Sequence, residues 1–244
     1  MALRDADLPF FYFTASERSA PDRLDPSPDT LRHIGQVLRM KPGEELLLTD
    51  GAGCIIRGRI DEIGKKSGHI RILDEERSEA PAPHLTVCIS PLKQRARFEW
   101  FLEKATEIGI NRIVPLICER TERDSYRFDR LNAILQSALI QSRQSHMPEL
   151  SAPVRWADWI VSSSSARRLI AYCSVEDTPK PLLTANNTCN SEILIGPEGD
   201  FTAEEVKQAL NNGYQPVSLG QTRLRTETAG IVAATLLRLG HRAG

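Results

Sequence analysis

From residue 85 onward, short apolar runs alternate with stretches of helical periodicity, and this alternation limits the possible folds more than any other feature of the chain. Leu85–Ser90 is a continuous apolar run. Phe98, Phe101, Leu102, Ala105 and Ile108 recur at helical spacing over Arg97–Ile108, and Gly109 closes that helix. Arg112–Cys118, Leu169–Cys173, Ile193–Ile195 and Pro216–Leu219 read as strands, and Phe128–Ser145 and Thr226–Leu239 as helices. Thr202 followed three positions later by Glu205 is a capping-box pattern, which predicts a helix ending before Gly213. Strands that are apolar throughout, separated by helices, form a parallel sheet covered on both faces.

The chain before residue 85 has a different rhythm. Phe10–Thr14, Glu45–Thr49, Cys54–Ile63 and Gly68–Leu73 read as short strands, with turns at Asp50-Gly51 and at residues 64–67. A helix is expected over Asp29–Met40, capped by Asp29, with Leu31, Ile34 and Leu38 on one face and Pro42-Gly43 at its end. Short strands at this spacing suggest a small β-barrel. The stretch from Glu75 to His84 is charged and proline-bearing, with nothing to bury. The expected organisation is a β-barrel over 1–75, a linker over 76–84 and an α/β domain over 85–244.

Composition removes several classes. The 244 residues are 41% hydrophobic and 26% charged, as in an ordinary globular protein with a sizeable core. A formal charge of −1 supplies no global attraction for RNA or acidic lipid, so a nucleic-acid surface must be a local patch. No apolar run approaches the roughly 20 residues that span a bilayer, and no membrane partner is expected. The first seven residues carry no signal-peptide core, and the five scattered cysteines suit reduced thiols, so a cytoplasmic location without a metal centre is expected.

In open parallel sheets, ligands bind beyond the carboxyl ends of the strands. Three such ends are expected to be rich in chemistry: Cys173 to Asp177, Ile195 to Thr202 and Leu219 to Ala229. Glycines in the last two let backbone approach a ligand, and each loop leads into a helix N-terminus that favours polar or anionic groups. Neither a phosphate-binding Gly-Lys-Ser/Thr nor a Gly-x-Gly-x-x-Gly fingerprint occurs, which argues against a nucleotide-dependent enzyme. By composition alone, Gly196-Pro197-Glu198-Gly199 suits a tight strand-to-helix turn better than a ligand loop.

The runs Leu194-Ile195-Gly196-Pro197-Glu198-Gly199-Asp200-Phe201-Thr202 and Leu219-Gly220 through Leu224-Arg225-Thr226-Glu227-Thr228-Ala229 resemble the signature loops of the RsmE family. These are the small-subunit ribosomal RNA uridine-N3 methyltransferases of the SPOUT superfamily. Glu103-Lys104-Ala105-Thr106-Glu107-Ile108-Gly109, Glu119-Arg120-Thr121, His33-Ile34 with Val37-Leu38-Arg39, and Asp50-Gly51 also match, in order. Asp200 stands where the family has a second glycine. Ile140 and Gln144 stand where it has Glu and Arg.

The resemblance implies a SPOUT domain with a deep trefoil knot, preceded by a barrel of PUA type, acting as a homodimer on 16S ribosomal RNA of the small subunit. It implies S-adenosylmethionine as cofactor, contacted by Ile195, Gly196, Pro197, Glu198, Gly199, Leu219, Gly220, Leu224, Arg225 and Thr226, with Ser174 at the third loop. The uridine imide must lose a proton, so a guanidinium beside its carbonyls would stabilise the anion; Arg225 is the candidate. Glu227 and Glu198 are candidate proton acceptors, although Glu227 could equally cap a helix or pair with Arg225. RNA backbone contacts are expected from His33, Arg39, Lys65, Lys66, Lys93, Arg95, Arg97, Arg120 and Arg123. Lys93–Arg97 is the densest patch, and His33 also suits a structural role. A non-catalytic assembly protein on the same scaffold, and a sibling enzyme acting on transfer RNA, are the alternatives.

Overall fold

The computed structural model describes residues 7–64, 67–122, 127–173, 180–182 and 189–240. The described residues divide into two compact units. One comprises the chain up to Ala80 together with Leu139–His146, and the other comprises Pro81–Ala138 together with the chain from Met147 onward.

In the first unit, β1 (Phe10–Tyr12), β2 (Arg18–Ala20), β3 (Arg23–Leu24), the short helix α1 (Pro28–Arg32), β4 (Glu45–Thr49), β5 (Cys54–Ile63) and β6 (Gly68–Arg77) follow in order. The described strands form one sheet in the order β1-β4-β5-β6-β3-β2, antiparallel except for the β1–β4 pair. The unbroken apolar run of β4 has a physical reason. Leu46 and Leu48 pack with Phe11, Ile56, Ile60 and Ile70 on one side. Leu47 packs with Phe10, Ile55 and Ile140 on the other. Residues 139–146 thus belong to this unit because Ile140 helps cover its second face. Arg57 and Arg59 both pair with Glu45, at 2.6 and 2.8 Å, but these bridges lie in solvent, which screens them. Each buried leucine or isoleucine contributes roughly 1.5–3 kcal/mol, so the apolar core dominates.

Two local features differ from expectation. Ser27, not Asp29, caps α1: its hydroxyl accepts from Thr30 N at 3.3 Å, and Pro28 occupies the first turn, where its missing N–H costs nothing. The helix then widens into a π turn over His33–Val37. Strand β6 continues to Arg77, where Glu75–Arg77 pair with Cys54–Ile56, so the first linker positions are ladder residues.

The second unit runs β7 (Leu85–Ile89), α2 (Arg95–Ile108), β8 (Arg112–Ile117), α3 (Phe128–Ser142), β9 (Glu149–Leu150), β10 (Val154–Arg155), α4 (Trp156–Ser162), β11 (Arg167–Ala171), β12 (Lys180–Pro181), β13 (Ser191–Ile195), α5 (Ala203–Asn211), β14 (Gln215–Ser218) and α6 (Thr226–Gly240). Only α3 extends past its boundary, at residue 138. The described strands form a parallel sheet in the order β10-β8-β7-β13-β11-β14-β12, with β9 also on β8. Its two faces are covered separately, as the apolar strands require. Leu85, Val87 and Ile89 pack with Phe98, Phe101 and Leu102 of α2 and Ala233, Ala234 and Leu237 of α6. Cys88, Val114, Ile170 and Leu194 pack with Trp156 and Trp159 of α4 and with Phe201 and Ala209.

Candidate active site

The carboxyl ends of β13, β11 and β14 lie side by side in the sheet. The loops leaving them enclose a cavity of about 660 Å³, within the roughly 300–1,000 Å³ range of small-molecule sites. Ile195, Gly196, Pro197 and Glu198 line it from the first loop, and Leu219, Gly220, Leu224, Arg225 and Thr226 from the second. Cys173, Asp200 and Arg223, inside the three selected runs but not named as cofactor contacts, also line it, as do Tyr172 and Ser218. The signal for these last two was position: each adjoins a selected run at a strand end. Ser174, Lys65, Lys66 and Arg123 lie outside the described residues.

The first loop is held in place by its own chemistry. A Cβ at Gly196 would lie 3.2 Å from the Phe201 ring, so glycine there lets that ring close beneath the turn. Phe201 then packs against Trp156, ring centres 5.2 Å apart. The capping box forms: Glu205 N donates to Thr202 Oγ1 at 3.2 Å, and Thr202 N donates to Glu205 Oε2 at 2.8 Å. The other carboxylate oxygen of the buried Glu205 accepts from Glu119 N at 2.8 Å. Asp200 N donates to Pro197 O at 2.9 Å, and Asp200 has φ of 61°. Its carboxylate accepts from Cys173 N and Phe201 N, at 2.9 and 2.8 Å. Burial first, then the Asp200 charge, holds the Cys173 thiol above its ordinary range.

The second loop is held more sparingly. Ser218 Oγ accepts from Gly220 N at 3.3 Å and lies 3.1 Å from Gly220 O. Gly220 has φ of 137°, a conformation that L side chains rarely adopt, and nothing lies within 4 Å of where its Cβ would be. Gln221, Thr222, Arg223 and Arg225 are exposed.

Several candidates sit elsewhere than on the cavity wall. Gly199 does not line it; its carbonyl accepts from Arg120 Nη1 at 2.6 Å, so Arg120 rests on the first loop. Glu198 Oε1 accepts from Lys93 N at 3.3 Å. Lys93 Nζ pairs with Glu122 at 2.7 Å, which raises the ammonium pKa. Glu227 is buried, lies off the cavity, and faces Arg97 at 3.7 Å rather than Arg225; its Oε2 has no hydrogen-bond partner among the described residues. Arg95 is exposed at the first turn of α2. In the first unit His33 and Arg39 are exposed, and His33 stands edge-on to Phe11 with ring centres 5.7 Å apart. Among the described residues, no three His, Cys, Asp or Glu side chains are arranged to hold a metal, and no helix is long and apolar enough to cross a membrane.

Comparison with known proteins places this geometry. A family model described as an RNA methyltransferase domain matches residues 78–238, and one described as an RNA methyltransferase PUA domain matches residues 27–73. A ribosomal RNA small subunit methyltransferase E of Synechocystis is 29% identical over 210 residues, covering 83% of this chain and 68% of that protein. A crystal structure described as a "probable rRNA-methyltransferase" from Porphyromonas gingivalis superposes with a TM-score of 0.86 at 37% identity, covering 96% of this chain and 99% of that one. The Neisseria gonorrhoeae ribosomal RNA small subunit methyltransferase E, crystallised with S-adenosyl methionine, superposes at 0.80 with 28% identity, covering 95% and 97%. The chain belongs to the RNA methyltransferase family, with the PUA-type domain of that family preceding its parallel-sheet domain.

Proposed function

We propose that the chain methylates N3 of a uridine in 16S ribosomal RNA of the small subunit, with S-adenosylmethionine as donor. The observation that carries this reading is the cavity bounded by both glycine loops with Arg225 on its wall. The residues fit the donor. Ile195, Val217, Leu219, Leu224 and Ala229 offer apolar contact for an adenine, and Gly196 and Gly220 leave backbone open to approach. The related Neisseria enzyme carries S-adenosyl methionine in its crystal. Ile195, Gly196, Leu219, Gly220, Leu224 and Thr226 would hold it. When bound, it supplies an electrophilic methyl group.

The chain's own task is to orient the acceptor and manage its charge. Arg225, exposed on the wall, stabilises the uridine imide as its proton leaves and charge moves onto the flanking carbonyls. Of the two carboxylates, Glu198 lines the cavity and Glu227 is turned to Arg97, so Glu198 is the acceptor this arrangement favours. A uridine must leave its stack to reach such a site. Lys93, Arg95 and Arg97 supply cations for the RNA backbone in this unit, Arg120 being engaged by the Gly199 carbonyl, and His33 and Arg39 do so in the PUA-type unit. Homodimerisation through α6 belongs to the same reading, since Ile231, Val232, Leu236 and Leu239 are incompletely covered on that helix. The trefoil knot, the assembled small subunit as substrate and a cytoplasmic location complete it.

The test is to incubate the protein with unmodified small subunits and S-adenosylmethionine, then reverse-transcribe the 16S RNA. A donor-dependent stop at one uridine, blocked on its pairing edge, is expected. Full-length transcripts with no methyl incorporation would remove the reading.

A further inference from the structure

The Asp200 carboxylate is the feature of the cavity that the general reading leaves unused. Its backbone is left-handed, a conformation that Asp tolerates better than most residues but glycine adopts freely. A plain glycine would therefore serve the turn. The side chain that is present lines the cavity and bonds to the adjacent strand end: Oδ2 accepts from Cys173 N at 2.9 Å, joining the first loop to the end of β11. Oδ1 accepts from its neighbour Phe201 N at 2.8 Å. Among the described residues no cation lies within ion-pair distance of it. Two neutral backbone donors orient the carboxylate without cancelling its charge. The other carboxylate on the wall, Glu198, is half-turned to Lys93 N, and the two guanidiniums, Arg223 and Arg225, come from the opposite loop.

We propose that Asp200 is a specificity-determining residue of this cavity, placing a fixed negative charge that favours the sulfonium-bearing donor over its neutral thioether product. The donor and S-adenosylhomocysteine share every other charge, so a carboxylate on the wall is the kind of group that separates them. Electrostatic discrimination of one unit charge across a half-buried site is on the order of tenfold in affinity. The consequence is that fresh donor outcompetes spent cofactor for the cavity. The inference rests on the cavity being the donor site.

Calorimetric titration of the full chain with S-adenosylmethionine and, separately, with S-adenosylhomocysteine tests it in the unaltered protein, in Asp200→Asn and in Asp200→Gly. Asn keeps a side-chain acceptor and tolerates the left-handed backbone, while Gly relaxes that backbone fully. A structural brace would act on both ligands alike; charge acts only on the sulfonium. Both variants are expected to lower the affinity ratio of donor to product about tenfold. A ratio that stays the same in both variants, whether both ligands weaken together or neither changes, overturns the proposal. Absence of donor binding by the unaltered chain would overturn the cavity assignment as well, and so is distinguishable.

Discussion

The two loops that form the cavity are built on different principles. The Gly196–Thr202 loop is tied outward to three neighbouring segments: by Lys93 N to Glu198, by Arg120 to the Gly199 carbonyl, and by Asp200 to Cys173 N. It then ends in a reciprocal helix cap. Among the described residues, the Leu219–Arg225 loop has Ser218 across its first turn and the first helical bond from Ala229 N to Arg225 O. By the bonds described, the first is the more fixed wall and the second the more adaptable. Fixed donors cost no reorganisation when charge develops, whereas a loop with few bonds can close over a substrate and reopen. The adaptable wall carries Arg225, the fixed wall Glu198.

This contrast can be broken from either side. The largest effect is expected from Arg225→Ala on the adaptable wall. Turnover should fall by about 10²–10³-fold, the cost of removing one donor from a developing anion, while calorimetry finds donor affinity little changed. Equal loss in turnover and affinity would mean that Arg225 merely shapes the loop. Next is Gly220→Trp, which forces a side chain onto a backbone with φ of 137° beside the cavity. Donor binding should weaken about 100-fold or more, a loss of roughly 2.7 kcal/mol, and unchanged binding heat would place the donor elsewhere. Arg120→Ala removes a tie from the fixed wall, and the Michaelis constant for the donor should rise about tenfold with turnover nearly preserved. Arg120→Lys should restore part of this; an effect confined to RNA affinity would return Arg120 to a backbone-contact role. The smallest is Thr202→Ala, which deletes the cap and should cost about 1 kcal/mol in denaturant unfolding, or a few degrees in Tm.

What could be read from the sequence, and what could not, follows from the range of the forces involved. The Thr202–Glu205 cap is local, needing four consecutive residues, and it forms as the spacing predicts. The two-sided burial of β7 and β13 follows from the apolar runs Val87-Cys88-Ile89 and Ile193-Leu194-Ile195, which have no polar alternate. By contrast, β9, β10 and β12 are two residues long, too short to show a period, and α4 is a single seven-residue helix with Trp156, Trp159 and Ile160 on its buried side, too few to establish a repeat. The hairpin of β2 and β3 is five residues in all, with Leu24 its one buried side chain, so no alternation reveals it. Ser27 takes the cap that Asp29 was expected to supply because Pro28 fixes where the first turn starts. At the site, strand-end position and glycine content picked out both loops. The orientation of Glu227 toward Arg97, and of Arg120 toward Gly199, depends on contacts between residues 79 or more positions apart, which no local pattern encodes.

Helix α3 carries a practical lesson about dissecting this molecule. Its first turns count with the parallel-sheet unit, while the stretch from Leu139 counts with the N-terminal one, so the backbone passes from one unit to the other three times. Arg143 donates to Leu8 O at 3.0 Å and stacks over Phe10, and His146 meets Ser78 at 3.1 Å. A protein shortened to begin near Pro83 would strip these residues of their neighbours and leave Ile140 bare. Isolating the catalytic half cleanly therefore calls for redesigning the surface of 139–146 as well as choosing a cut site.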